Sequence, residues 1–180
     1  MSRARAAAGS LVFLALAPGV VAGLVPWLLT GWDSTDPPLA LQVAGAALIA
    51  AGGAVLLHAF ARFVIEGIGT PAPVAPTQQL VVGGLYRHVR NPMYVAVAAT
   101  IVGQAALLGR PGLLLYALAF MGIVAAFVHG YEEPVLSERF GAEYAEYQRH
   151  VPAWWPRLRP WEGATPSGEF SSGRPTDGAA

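Results

Sequence analysis

Two short stretches carry the residue types that could do chemistry. The first is GLYRHVRNPMYVAV, residues 84–97, where Arg87, His88 and Arg90 stand directly before an Asn-Pro pair that opens an apolar run. Asparagine is a good N-cap, and proline at the first helical position wastes no hydrogen bond, so Asn91-Pro92 predicts a helix start capped by Asn91. Such a start leaves unpaired N–H groups and partial positive charge, which attract carboxylates and phosphates. With the basic residues one turn upstream, an anion pocket is expected, although arginines at a membrane edge also serve as headgroup anchors. The second stretch is HGYEEPVLSERFGAEY, residues 129–144. Adjacent carboxylates such as Glu132 and Glu133 are costly at a membrane boundary unless solvated or paired. Pro134 lacks a backbone donor and disfavours helix at Glu133, so a bend with freed carbonyls is expected there.

Taken together, the clusters offer donors for a carboxylate and acceptors for a cation. A zwitterionic amino-acid end, such as the methionine part of S-adenosylmethionine, presents both. Tyr86, Tyr94 and Tyr131 are placed to stack on a purine, to lie near a sulfonium, or to anchor at the interface. His129, beside the carboxylates, is a candidate general base. His58 lies inside an apolar run and reads as a bonding partner for a neighbouring helix.

The elements that must position these clusters are membrane helices. The chain has 180 residues, 54% hydrophobic and 12% charged, whereas a soluble domain carries about a quarter charged residues. Uncharged runs long enough for a hydrocarbon core of about 20 residues lie at 11–32, expected to kink near Pro18 and Pro26, and at 39–61. The second is rich in small residues (Gly45, Ala47, Ala51, Gly52) that allow close helix contact in lipid. Two shorter runs, 92–108 and 111–128, are separated by Gly109-Arg110 and predict a tight antiparallel hairpin with Arg110 snorkelling to the far interface. The fold expected is all-α and polytopic, with four spans.

Arginine placement agrees with that count. Arg110 alone falls on one side, with the acidic loop GWDSTDPP, and the other ten arginines fall on the opposite side. The positive-inside rule then puts both termini and the clusters in the cytoplasm, as expected of a bacterial inner-membrane protein. Residues 132–150 read as an interfacial helix with Leu136, Phe140, Tyr144 and Tyr147 at helical spacing. VPAWWPRLRPW then supplies headgroup-layer tryptophans and arginines. Residues 1–161 form one expected domain, and 162–180, rich in Gly, Ser, Pro and Thr, a disordered tail.

LVVGGLYRHVRNPMY, followed some forty residues later by EEPVLSERFGAEYAEYQRHVP, resembles the isoprenylcysteine carboxyl methyltransferase and phospholipid methyltransferase family of integral membrane enzymes. The resemblance covers about residues 78–156. It implies a methyltransferase that uses S-adenosylmethionine, held at the cytoplasmic end of the last helices, and a lipophilic or lipid acceptor entering from the bilayer. Carried over by position, the cofactor contacts implied are Gln78, Leu80, Val81, Tyr86, Asn91, Pro92, Met93 and Tyr94, with Glu132 on the methionine amino group. His129, Glu133 and Arg90 are the catalytic candidates. The chain has Asn91 where the eukaryotic members have histidine. It also has Val128 where they carry an arginine for the prenylcysteine carboxylate, which weighs against a prenylcysteine substrate.

Two rival readings differ in class. A membrane sterol- or lipid-reductase-like protein would use NADPH and need more basic residues for its extra phosphate, and a non-enzymatic membrane scaffold would keep the fold without cofactor affinity. Zero net charge argues against a nucleic-acid partner, and the absence of cysteine excludes a thiolate metal site and a cysteine nucleophile. No metal is expected.

Overall fold

The computed structural model describes residues 17–66 and 80–163, the side chains of 62–66 excepted. The start of the first expected span, the Pro-rich connector with Gln78, and the tail beyond Gly163 lie outside the described residues. Among those described, the chain is helical with no strand. Helix α1 runs Ala17–Thr30, α2 Leu39–Glu66, α3 Pro92–Leu108, α4 Gly112–Phe127 and α5 Glu133–His150. A π-turn, Val128–Glu132, joins α4 to α5 without a break. Another, Val20–Leu24, lies inside α1 between Pro18 and Pro26, where a kink is expected near each proline.

Helices α2 and α3 pack backbone to backbone because glycines face each other. A Cβ at Gly45 would come within 2.5 Å of Gly103 O and Leu107 N, and one at Gly103 within 2.8 Å of Gly45 O. Gly52 is pressed likewise against the turn holding Ala96 and Thr100. Of the small residues expected at this contact, Gly45 and Gly52 are in it, whereas Ala47 and Ala51 are exposed on the other face. Around the seam, Leu56, Phe60, Ala96, Ile101, Ala105, Leu113 and Ala117 form the principal core.

The outer faces stay apolar. Leu41, Val43 and Leu57 of α2 and Leu115, Leu118 and Ile123 of α4 are exposed. Two helices are long and apolar enough to cross a membrane: α2 over Leu39–Ala61, and the continuous rod that begins at Gly112. The core helix of a soluble protein would be mostly buried, yet only 17% and 22% of these two apolar stretches are buried inside the molecule. Helices α1 and α3 are shorter, α3 rising about 25 Å over its 17 residues.

The hairpin forms where Gly109 adopts φ +66°, the left-handed conformation that ends α3. Residues 33–36 fold over it: Thr35 N–H donates to Leu108 O (2.9 Å), and Arg110 Nε donates to Asp33 O (3.0 Å). Arg110 and the acidic loop therefore share one end of the molecule, and the two chemical clusters lie at the other.

Helix α5 spends its apolar stripe on the chain itself. Tyr144, Tyr147 and Val151 are buried against Leu80, Val82, Leu136, Phe140 and Trp161. The face expected to lie on a membrane surface is thus a second small core. The helix also breaks at Gly141, which has φ +50° and ψ −121°.

Candidate active site

Residues 84–91 approach α3 through a 3₁₀ turn, Gly84–Arg87, and are gripped by the segment after α5. That segment carries Pro152, Pro156 and Pro160, which lack backbone donors, and it forms neither helix nor strand. Arg90 N–H donates to Pro152 O (2.9 Å), Arg157 N–H to His88 O (3.0 Å) and Trp161 N–H to Arg87 O (2.9 Å). Side chains join this ladder. Arg87 Nε donates to Trp161 O, and His88 Nδ1 lies 2.8 Å from Arg157 O. Arg87 and His88 are therefore held by the strap, and the anion pocket expected from three basic side chains reduces to Arg90.

Asn91 does not cap α3 with its side chain. Its Nδ2 donates to Ala153 O (3.2 Å), the same carbonyl its backbone N–H reaches at 3.3 Å. The strap offers a carbonyl at hydrogen-bond distance, and the carboxamide turns to it. Helix α3 consequently begins with Pro92, which has no N–H. The amides of Met93 and Tyr94 follow with no intrahelical acceptor, as in any first turn, and the Asn91 side chain does not cap them.

The expected bend at Glu133 is absent. Glu133 keeps helical angles (φ −63°, ψ −43°), and its N–H bonds Val128 O, five residues back. A turn widened by one residue accommodates the ring of Pro134, which would otherwise press on the carbonyl four residues back. Widening rather than breaking carries helix from α4 into α5, and Glu132 reaches α3. Tyr94 hydroxyl donates to Glu132 Oε2 at 3.3 Å.

Glu132 and the α3 N-terminus share a cleft with about 700 Å³ of empty space, its open mouth included. Its polar side is Tyr86, Arg90, Asn91, Tyr94 and Glu132, and its apolar side is Ala17, Pro18, Val21, Met93, Val97 and Phe120, with Pro92 between. Burial holds the Glu132 carboxyl above its ordinary value of 4.5; the Tyr94 hydrogen bond pulls it down and neighbouring Glu133 pushes it up. Burial also raises Tyr86, helped by Tyr147 and Glu132, so its phenol stays neutral.

Arg90 is tied on one side only. Its NH1 lies 2.9 Å from Glu133 Oε1 and 3.4 Å from Tyr144 hydroxyl, whereas Nε is buried without a partner. Glu133 continues the chain outward to His129 Nδ1 at 3.5 Å, and the His129 side chain is 90% exposed. Of the three catalytic candidates, Arg90 lines the cleft, Glu133 fixes it, and His129 stands outside.

Among the cofactor candidates, Tyr86, Asn91, Pro92, Met93, Tyr94 and Glu132 converge on the cleft. Leu80 packs against the Tyr144–Tyr147 core, Val81 does not line the cleft, and Gln78 lies outside the described residues. Tyr131 is half-exposed and stacks on Phe127. His58 is exposed on α2. Sequence reasoning missed the apolar wall from α1 and α4, because an apolar residue facing a cleft has the same sequence signal as one facing lipid.

Among the described residues, the donor set fits a zwitterion beside an apolar group: a carboxylate, helix-start amides left uncapped by Asn91, one guanidinium N–H without a partner and an apolar wall. No cluster of three or more metal-ligating side chains occurs among the described residues. Compared with known proteins, residues 41–143 match the sequence model of a family described as phospholipid methyltransferase, a stretch from α2 through the cleft to α5. No curated protein matches the chain.

Proposed function

Because the chain belongs to the phospholipid methyltransferase family, we propose that it is an S-adenosylmethionine-dependent membrane methyltransferase whose cofactor and lipophilic acceptor meet in the cleft beside Glu132. The observation that carries this reading is the juxtaposition of an open α3 N-terminus with a carboxylate held by that helix's own Tyr94. Anions favour helix N-termini, and a buried carboxylate favours a cation. A free amino acid end satisfies both.

In this reading Glu132 holds the amino group of the cofactor, while the Met93 and Tyr94 amides and Arg90 Nε hold its carboxylate. Tyr86, Asn91 and Pro92 form the adjoining wall, and Leu80 packs on the neighbouring Tyr144–Tyr147 core. The bound cofactor supplies an electrophilic methyl group on a sulfonium. The chain supplies proximity and orientation, which contribute up to roughly 7–11 kcal/mol when geometry is ideal. Glu133 keeps Arg90 in place through its ion pair, and His129, outside the cleft beside Glu133, would take up through solvent the proton that an amine or thiol acceptor releases; a carboxylate acceptor needs no base. The acceptor enters sideways from lipid past the apolar wall. Four helices within a single domain of residues 1–161 cross a bacterial inner membrane, with the cleft and both termini cytoplasmic.

Calorimetric titration of detergent-purified protein with S-adenosylhomocysteine tests the assignment. Saturable binding is expected, weakened on the order of 10–100-fold by Glu132→Gln, since a charged hydrogen bond contributes about 1.5–3 kcal/mol. Absence of binding by a folded protein, or binding of NADPH in its place, would refute it.

A further inference from the structure

Two carbonyls of α1 lack a backbone donor, one because the π-turn returns to α-helix there and one because of Pro26, and the side chains that satisfy them fix how α1 faces the cleft. In the π-turn, Val25 N–H bonds Val20 O, five residues back. Continuing that pattern, Val21 O would accept from residue 26; in an ordinary α-turn Ala22 O would accept from the same residue. Residue 26 is proline and has no N–H. Within hydrocarbon each unsatisfied carbonyl costs several kcal/mol. Helices α3 and α4 supply the missing donors: Tyr116 hydroxyl reaches Val21 O at 2.8 Å, and Gln104 Nε2 reaches Ala22 O at 2.6 Å.

Gln104 shows how much this contact matters. It is buried, its Oε1 has no hydrogen-bond partner, and Ile101 and Ala105 beside it on α3 belong to the principal core. An unpartnered buried acceptor costs about 1–3 kcal/mol, so the residue fits this core only as a donor to a carbonyl that would cost more if left alone. The two contacts come from two helices and meet on consecutive residues of a third.

A π-turn contains one residue more than an α-turn. Resolving it into regular helix rotates everything on its N-terminal side by about 100° relative to the rest. Ala17 and Pro18 lie on that side, and both line the cleft with Val21. We propose that Gln104 and Tyr116 are positioning residues that lock α1 in its π register and so present Ala17, Pro18 and Val21 as the wall against which a lipid acceptor's apolar part lies. The occupant of the cleft rests on the methyltransferase reading; the register does not.

The chain has no cysteine, so Ala17→Cys gives a single reporter. Its modification rate by a charged methanethiosulfonate is measured in phosphatidylcholine nanodiscs, alone and combined with Gln104→Leu, Tyr116→Phe or both, each checked for helicity and monodispersity. Loss of the clamp turns residue 17 toward lipid, so its rate is expected to fall at least fivefold, while Leu158→Cys, at an exposed position in the segment after α5, stays within twofold. An unchanged rate at residue 17 in the folded double variant would overturn the proposal. Should the double variant not fold, Gln104→Leu is read alone, and where that too does not fold, adding Pro26→Ala is expected to restore folding, because it returns the N–H that Ala22 O lacks; failure to restore it overturns the proposal equally. Calorimetry with S-adenosylhomocysteine decides the cofactor assignment independently, so failure of one reading is distinguishable from failure of the other.

Discussion

At the scale of single residues, Glu132 carries the strongest functional demand. Burial raises its carboxyl above 4.5, and the Tyr94 hydrogen bond partly reverses the shift. Between the unfolded and the folded value the native chain binds more protons, so this group's contribution to stability falls as pH rises through that window. Binding a cation has the opposite sense, since only the carboxylate attracts it. Affinity for S-adenosylhomocysteine is therefore expected to be lost, as pH falls, at a higher pH than an ordinary glutamate would give. Tyr94→Phe removes the one hydrogen bond that lowers the value, so it should move that acid limb further up, and Glu132→Gln should remove the limb. Calorimetry across pH 4–8 measures all three, and a limb that ignores Tyr94→Phe would refute the coupling. Glu132 and the residues 91–94 are legible in the sequence because charged and helix-starting residues announce themselves. The duties of Arg87, His88 and Asn91 are not, since all three are set by strap carbonyls some sixty to seventy residues away, and backbone acceptors carry no sequence signature.

At the scale of elements, the two π-turns share a construction. Each is followed one residue later by proline, in VVAGLVP and VHGYEEP, and each contributes a wall of the same cleft, Val21 from one and Glu132 from the other. Proline in both sequences predicts an interruption. In α1 the widened turn is accompanied by donors from other helices, Gln104 and Tyr116, which a local reading of the sequence cannot see. Close packing was easier to foresee, because glycine in an apolar helix has few uses besides close approach. A Cβ at Gly45 meets backbone atoms of α3, which cannot yield as a side chain could. Gly45→Ala is accordingly expected to destabilise by about 1–3 kcal/mol, the usual cost of overpacking. Gly53→Ala, with nothing within 4 Å of its added carbon, should be neutral or gain up to about 1 kcal/mol from helix propensity. Thermal denaturation in detergent compares the pair, and equal effects would place the helix contact elsewhere.

At the scale of the whole molecule, the ends differ in charge and in chemistry. One end carries Arg110 with Asp33 and Asp36, tied into the hairpin by Thr35. The other gathers Arg87, Arg90 and Arg157 around the strap and the cleft. Basic residues are retained on the cytoplasmic side of a membrane, so the cleft end is expected to face the cytoplasm, where the proposed cofactor would reach it without crossing hydrocarbon. The exposed side chains of Trp155 and Leu158 lie on that same end, suited to the headgroup layer that aromatic residues favour. Because the chain has no cysteine, single replacements report orientation without background. Ser34→Cys is expected to react with a membrane-impermeant maleimide on intact bacterial spheroplasts, and Trp155→Cys to react only after lysis. The reverse pattern would turn the molecule over and place the cleft where no cytoplasmic cofactor could enter it. Labelling of both residues in intact cells would mean that the apolar faces of α2 and α4 do not span the bilayer, and the lipid-facing role assigned to them would fall together with the proposed route for the acceptor.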